Sequence, residues 1–139
     1  MTTTRSAPAA TGSVDGIVRG LAAAGVLMSA DVHLALYFSG FSSIPTVGPL
    51  FVVNAVAGLV IGVGMLAWRH WLAAFLAFGF NLVTLAAFYL SISVGLFGFR
   101  ESATGAQQLI AEIAEIIGLV GAAVLLVLHW QRSRARSRA

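Results

Sequence analysis

The chain contains no cysteine, no lysine and few charged residues, and each absence narrows what it can be. Without cysteine it has no disulfide framework, no thiol redox centre and no thiolate-bound metal. Charged residues make up 9% of its 139 residues, whereas a soluble domain typically has ~25%. The sequence also lacks a phosphate-binding glycine loop, a serine nucleophile motif, an HExxH motif and any nucleic-acid-binding module. It therefore argues against a soluble enzyme and favours a non-enzymatic role without nucleic-acid partners.

Apolar residues make up 59% of the chain and are concentrated in four long runs. The runs cover residues 17–38, 50–68, 71–96 and 109–130. Each has about 20 residues or more, enough for an α-helix to cross the ~30 Å hydrocarbon core of a bilayer. A crossing segment has to be helical because lipid offers the backbone no hydrogen-bond partner. The sequence predicts an all-α integral membrane four-helix bundle.

The flanking segments complete the domain organisation. Residues 1–15 are mostly small and polar without periodicity, and we expect a disordered N-terminal tail. The transmembrane domain is predicted over residues 16–130, followed by a basic tail over residues 131–139. Glycine and proline in residues 39–49 predict a loop between the first two helices.

The arginines are distributed unevenly about the predicted membrane. Seven of the eight fall on the side that holds both termini, and Arg100 alone falls on the other. Because positively charged residues are retained on the cytoplasmic side, both termini are predicted to be cytoplasmic. Trp68, Trp71 and Trp130 lie at the same boundary, as an aromatic belt would. We expect a multi-pass protein of the cell membrane, and the use of arginine without lysine suggests a GC-rich bacterium.

Several polar side chains share one depth in the outer half of this membrane, and the cytoplasmic half holds nothing comparable. An ionised carboxyl at the bilayer centre costs ~2.5–3.5 kcal/mol, and less toward the interface. We therefore expect these side chains to face the bundle, to pair or to touch water. The predicted polar cluster consists of Asp31, His33, Tyr37, Asn54, Arg100, Glu112 and Glu115.

Several interpretations of these groups stay open. For Glu112 and Glu115 there are three interpretations. They are acidic residues that the dipole at a helix N-terminus stabilises, they form ion pairs with Arg100 or His33, or they belong to a metal or proton site. Asp31 has a functional or inter-subunit role, or else a structural one through Asn54 or Tyr37.

Four members of the cluster are candidate ligands of a divalent metal, because histidine and carboxylates bind Zn²⁺. They are His33, Asp31, Glu112 and Glu115. Their spacing in the sequence does not match a metal-binding motif, and the side chains of Asp31 and His33 point ~200° apart around a helix. No metal site is assigned, and we expect no cofactor.

Small residues predict where helices pack closely. Gly58 and Gly62 form a GxxxG face on the second helix, and Gly118 and Ala122 offer a similar face on the fourth. We expect the second and fourth helices to lie near one another. The partners predicted for the whole domain are the lipid bilayer and either other membrane subunits or further copies of the chain.

The segments HLALYFSGFSSIPTVGPLFVVNAVAG (residues 33–58) and GLFGFRE (residues 95–101) carry a resemblance. They resemble small uncharacterised four-helix integral membrane proteins of high-GC bacteria, and in size and helix count alone the chain is similar to DoxX-like proteins. The resemblance implies a fold and no mechanism.

Three functions follow as hypotheses. The first is an accessory or helix-packing subunit of a membrane assembly without enzymatic activity. The second is a metal- or proton-linked redox or transport component that uses the polar cluster. The third is a small efflux transporter, which has the same helix count but a carboxylate deep in its first helix.

Overall fold

The structure, a computed structural model, describes residues 10–138, which are α-helical apart from short connections. The helices are α1 (Ala10–Phe38), α2 (Val47–Ala67), α3 (Trp71–Ser93) and α4 (Ala106–Ser137), with a short 3-10 helix at Phe41–Ser43. All four α-helices are long and apolar enough to cross a membrane. The predicted all-α fold with four candidate spans is confirmed for this part of the chain, and the orientation of the termini stays a prediction.

Two helices extend beyond their apolar runs. α1 begins at Ala10, inside the segment predicted as a tail, whereas residues 1–9 lie outside the described residues. α4 continues through Ser137, so most of the predicted basic tail is helical. Arginine and alanine are good helix formers, and Arg134 and Arg136 in the last turn interact favourably with the helix dipole. The predicted bounds followed the apolar runs, but a helix continues as long as its backbone hydrogen bonds do, and both helices therefore extend into polar sequence.

α3 ends at Ser93, before its predicted end at residue 96, because the backbone turns at glycine. Gly95 has a φ of 88°, and its N–H donates to the carbonyl of Leu90 at 3.0 Å, which ends the helix. Leu96 and Phe99 then exchange two backbone hydrogen bonds of 2.7 and 2.9 Å. The tight turn between them includes Gly98, with a φ of 78°.

The bundle has two distinct ends. Residues 10–20, the α2–α3 hairpin around residues 68–70 and residues 127–138 form one end, which we call the terminal end. Residues 39–46 and 94–105 connect the helices at the other end, which we call the loop end. α1 packs against α2 and α4, α4 packs against α3, and α2 and α3 contact each other least among neighbouring helices. The helices therefore pack most extensively on either side of α1, and the packing is loosest between α2 and α3.

The closest approach is between α1 and α4. A Cβ on Gly25 would lie 2.5 Å from the carbonyl oxygen of Ala114 and 2.7 Å from the backbone nitrogen of Gly118. Only glycine permits this separation, because any side chain at position 25 would overlap backbone atoms that cannot move aside. A Cβ on Gly118 would in turn lie 2.7 Å from Nδ2 of Asn81 on α3.

The predicted partner of the small-residue face on α2 was wrong. A Cβ on Gly58 would lie 2.8 Å from Ala30, and one on Gly62 would lie 2.6 Å from Leu27, so both glycines pack on α1. Over residues 47–137, α2 makes no helix–helix contact with α4. A GxxxG pattern indicates close packing but carries no information about which helix is the partner.

The main core lies toward the terminal end and consists largely of alanine. Its buried members are Ala22, Ala23, Val26, Met65, Ala73, Ala74, Ala77, Ala122 and Leu125. Large aliphatic and aromatic side chains are instead exposed on the outside of all four helices. This arrangement suits a bundle in lipid, where small residues let helices approach and large apolar ones face the acyl chains.

Candidate functional site

A cleft of about 560 Å³ lies between α2 and α3 in the loop-end half of the bundle. Residues 47–57 and 83–91 form its walls, and residues 96–101 line it from the loop. His33 of α1 and Glu115 of α4 line it from the opposite side. The cleft exists because α2 and α3 meet at a tight hairpin and then touch little. Its volume is within the ~300–1,000 Å³ range of small-molecule sites.

Glu115 is the most deeply placed polar group of the cleft, with 2% of its surface exposed. Its Oε1 accepts a hydrogen bond of 2.8 Å from Oγ of Ser29 on α1. The Nδ1 of His33 lies 2.8 Å from the carbonyl oxygen of Ser29. The tautomer with hydrogen on Nδ1 makes this bond and leaves Nε2 as an acceptor. Ser29 thus links the carboxyl of α4 to the imidazole of α1.

Asn54 adds an unsatisfied acceptor to the same cleft. Its Nδ2 donates to Oγ1 of Thr84 at 3.0 Å, and Thr84 donates to the carbonyl of Phe80 at 2.8 Å. The Oδ1 of Asn54 is buried and has no hydrogen-bond partner among the described residues. A buried carbonyl oxygen without a donor costs about 1–3 kcal/mol, so a ligand with a donor would be stabilised there.

Two further carboxylates lie at the loop-end rim of the cleft. Glu112 accepts a hydrogen bond from the hydroxyl of Tyr89. Glu101 accepts one from Nε2 of Gln108 at 3.1 Å and one from the backbone of Ser102 at 3.0 Å. Among the described residues, the lining therefore has three glutamates and a histidine but no arginine, and the chain has no lysine. Its polar groups favour a ligand that donates hydrogen bonds or carries positive charge.

The structure brings together part of the predicted polar cluster. His33, Asn54, Glu112 and Glu115 line the cleft. The other three members of the predicted cluster lie elsewhere, each for its own geometric reason.

Asp31 is exposed on the outer side of α1, and neither Asn54 nor Tyr37 bonds to it within residues 10–138. Tyr37 packs edge-on against Phe38, with ring centroids 5.3 Å apart. Arg100 donates to the carbonyl of Ser93 in the loop instead of pairing with a glutamate. The position of each residue along its helix was predicted well enough to place it at the level of the cleft. The direction of its side chain around the helix axis was not predicted, and this direction decides whether the residue lines the cleft.

The candidate metal ligands do not converge. Among residues 10–138, no three histidine, aspartate or glutamate side chains lie close enough to hold one metal ion. Asp31 points away from the cleft that His33, Glu112 and Glu115 line. The geometry gives the metal-linked hypothesis no support.

Sequence reasoning missed several residues that complete the site, among them Ser29, Thr84 and Gln108. Ser29 precedes His33 by four residues, so the two share a helix face, and this spacing could have identified it. Thr84 and Gln108 carry no such signal. Their partners are on other helices or in a loop, and single-sequence spacing cannot place them.

The expectation that the half predicted to be cytoplasmic, which holds the terminal end, has no comparable group of polar side chains was wrong. Asp15, which is 7% exposed, accepts hydrogen bonds from Arg69 at 2.9 Å and Arg132 at 3.1 Å. Arg19 is buried beside it and donates to the carbonyls of Met65 and Trp68. Asp15 falls in the segment predicted as a tail, so its position in the chain did not indicate that it would join a cluster. The protein has a carboxylate-rich cleft at one end and an arginine-rich cluster at the other.

The fold defines a small all-α protein with four candidate membrane spans, compatible with a multi-pass membrane protein. No family model matches the sequence, and no curated protein or solved structure matches the chain. The resemblance to small four-helix proteins of high-GC bacteria therefore stays an expectation.

Proposed function

We propose that the protein is a non-enzymatic membrane protein that binds a lipophilic cation or amine in the cleft between α2 and α3. The observation that carries this proposal is the composition of the cleft lining. Apolar side chains form most of it, and its ionisable side chains among the described residues are three carboxylates and a histidine, with the unsatisfied amide oxygen of Asn54 beside them and no arginine.

The walls supply the lipophilic part of the recognition. Phe51, Phe88, Phe97 and Phe99 line the cleft, and aromatic rings hold alkyl groups by burial and cations by their quadrupole. Val53 and Val83 also line it and are 61% and 68% exposed on the outside of the bundle. A ligand dissolved in the acyl chains would therefore reach the cleft from the side.

Glu115 supplies the polar part of the recognition. In surroundings of low dielectric a carboxylate attracts a cation far more strongly than it does in water. Ser29 fixes the orientation of this carboxyl with its 2.8 Å hydrogen bond. The charged end of a ligand would lie at Glu115 and its donors would reach the Oδ1 of Asn54.

The test measures binding of rhodamine 6G, a lipophilic cation with N–H donors, to the protein in detergent micelles by fluorescence anisotropy. Glu115→Gln is expected to weaken binding about 10-fold or more, since a hydrogen bond to a charged group contributes about 1.5–3 kcal/mol. Asp31→Asn is the matched control, because it removes a carboxyl from the opposite, exposed side of α1. Equal affinities of the two variants would contradict the proposal.

A proton-linked transporter and a small efflux protein would use the same cleft. Uptake or efflux of the same dye by vesicles that contain the protein separates transport from binding alone. If the dye moves only with a pH gradient, and Glu115→Gln abolishes the movement, the binding protein is also a transporter. Binding without movement supports the non-transporting assignment.

A second candidate function, a helix-packing subunit of a membrane assembly, is favoured by the outer face of α1. Asp31 is exposed on this face at membrane depth, where an unpaired carboxyl is unfavourable toward lipid. Gly16 and Gly20 on the same helix have open space where a Cβ would be, and Ala24 follows them at the same spacing and is exposed.

Because the chain has no cysteine, a single Ala24→Cys substitution reports on this face without background. Oxidative cross-linking in native membranes is expected to give a product larger than the monomer. Val83→Cys, on the exposed side of α3, is the control. Equal cross-linking of both variants, or of neither, would contradict an interface on α1.

A further inference from the structure

The arginine cluster at the terminal end joins three helices and the α2–α3 hairpin. Asp15 of α1 accepts from Arg69 of the hairpin at 2.9 Å and from Arg132 of α4 at 3.1 Å. Each arginine uses one nitrogen for this contact, and a guanidinium has five N–H donors. Both arginine side chains are about half exposed or more, at 63% and 47%. They therefore keep donors for a further acceptor.

Arg19 is the buried member of the cluster, with 8% of its surface exposed. Its NH1 donates to the carbonyl oxygens of Met65 at 3.3 Å and Trp68 at 3.5 Å, at the end of α2. Its Nε is buried and has no hydrogen-bond partner within residues 10–138. A buried cation with an unused donor calls for an acceptor that is not a protein group described here.

A polar hollow of about 140 Å³ lies among these residues, with His129 and Trp71 also in its lining. Three arginines and one aspartate line it, and together these four side chains carry a net formal charge of +2. Asp15 neutralises part of the cluster, and an uncompensated positive charge remains.

The hollow lies at the level where a membrane surface is expected. Trp68, Trp71 and Trp130 are all at the terminal end, and each is about half exposed. Tryptophan concentrates at the boundary between acyl chains and headgroups. A group bound in the hollow would therefore be at the depth of lipid phosphates and also within reach of the aqueous phase.

We infer that this hollow is a binding site for a phosphoryl group, carried by an anionic phospholipid or by free phosphate. Guanidinium groups match phosphate oxygens in charge and in the spacing of their donors. Asp15 holds Arg69 and Arg132 in place, and Arg19 supplies the buried donor. If the cluster served only to tie the helix ends together, Asp15 would satisfy it and no anion would bind.

The experiment titrates the full-length protein in dodecyl maltoside micelles and follows the fluorescence of the tryptophans beside the hollow. The probes are dioctanoyl phosphatidylglycerol, dioctanoyl phosphatidylcholine and inorganic phosphate. We expect saturable binding of phosphatidylglycerol that is stronger than that of phosphatidylcholine. Saturation by inorganic phosphate, with competition between the two, would identify free phosphate as a ligand; saturation by phosphatidylglycerol alone would identify the lipid.

Arg132→Gln and Arg69→Gln are each expected to weaken this binding about 10-fold, as the loss of a charge-assisted hydrogen bond would. Arg136→Gln is the matched control, because it removes the same charge from an exposed position one turn further along α4. Its affinity should stay within about twofold of wild type. Helical circular dichroism and the unfolding midpoint in detergent check that each variant is folded, and the second arginine variant serves if the first is not.

Two results would overturn the inference. One is the absence of saturable binding by every phosphate-containing probe. The other is an equal loss in Arg136→Gln and in the two cluster variants, which would mean that diffuse attraction of anions to a basic helix end explains the binding.

Discussion

The two ends of the bundle differ in how closely their helices pack and in the sign of the charged side chains that gather there. Toward the terminal end, alanines and glycines bring the helices together, and the polar groups there are arginines held by Asp15. Toward the loop end, α2 and α3 separate, and the opening collects carboxylates. The same four helices thus provide hydrogen-bond donors at one end and acceptors at the other. Four substitutions test this contrast, from the largest expected effect to the smallest.

Gly25→Val should have the largest effect, because it forces apart the closest pair of helices. The new Cβ would lie 2.5 Å from the carbonyl oxygen of Ala114, and overpacking of a rigid contact costs about 3 kcal/mol. We expect a large drop in the midpoint of thermal unfolding in detergent. Gly20→Val is the control, since no atom of the described residues lies within 4 Å of its Cβ position. Equal midpoints for the two variants would show that the α1–α4 contact is not tight.

Ser29→Ala removes the hydrogen bond that fixes the carboxyl of Glu115. Because Oε1 of Glu115 is buried, no other donor replaces the lost hydrogen bond, and an unsatisfied buried oxygen costs about 1–3 kcal/mol. The unfolding midpoint should fall, and the affinity for rhodamine 6G should fall with it. Ser133→Ala removes a hydroxyl whose one hydrogen bond among the described residues is to the backbone carbonyl of Trp130, in an exposed part of α4. If Ser133→Ala lowered both the unfolding midpoint and the affinity as much as Ser29→Ala does, the hydrogen bond between Ser29 and Glu115 would make no specific contribution to stability or binding.

Ala57→Phe fills the cleft from the wall formed by α2. The added ring occupies space that a ligand would use, and we expect rhodamine 6G to bind about 10-fold more weakly, or ~1.4 kcal/mol. Because the cleft is already open, the unfolding midpoint should change little. Ala24→Phe places the same ring on the exposed side of α1, and unchanged binding is expected there. Unchanged binding in Ala57→Phe would place the dye outside the cleft.

Asp15→Asn should have the smallest expected effect of the four substitutions, a modest loss of stability. Its two arginine partners are largely exposed, so each pair contributes little, and we expect a loss of about 1 kcal/mol. The loss should shrink at high salt, which screens exposed charges. Asp31→Asn, which breaks no ion pair of the described residues, should show no such salt dependence. A loss of stability that salt leaves unchanged would indicate a packing role for Asp15.

The sequence was sufficient for the number and type of the helices because lipid imposes both a length and a hydrogen-bonding rule. It was insufficient for the neighbours of each helix. Gly58 and Gly62 indicated a close contact and not that α1 would make it. Their small side chains permit approach by any helix, so the partner is decided by the whole bundle.

The candidate site was predictable in depth and not in direction. His33 and Glu115 were placed at one level by the rise along their helices, and both line the cleft. Asp31 was placed at nearly the same level and faces outward. Two residues change the direction of a helical side chain by ~200°, so an error in the rotation of one helix exchanges an inner residue for an outer one.

The contact between Gly25 and the backbone of α4 also constrains biosynthesis. Because a chain is made from its N-terminus, α1 and α2 can pair while the later helices are still being translated. The side of α1 that carries Gly25 and Ser29 has no protein partner until α4 leaves the ribosome. Assembly is then completed by the last helix to be inserted, and a delay at that step would leave Ser29 and its neighbours facing the lipid or the insertion machinery.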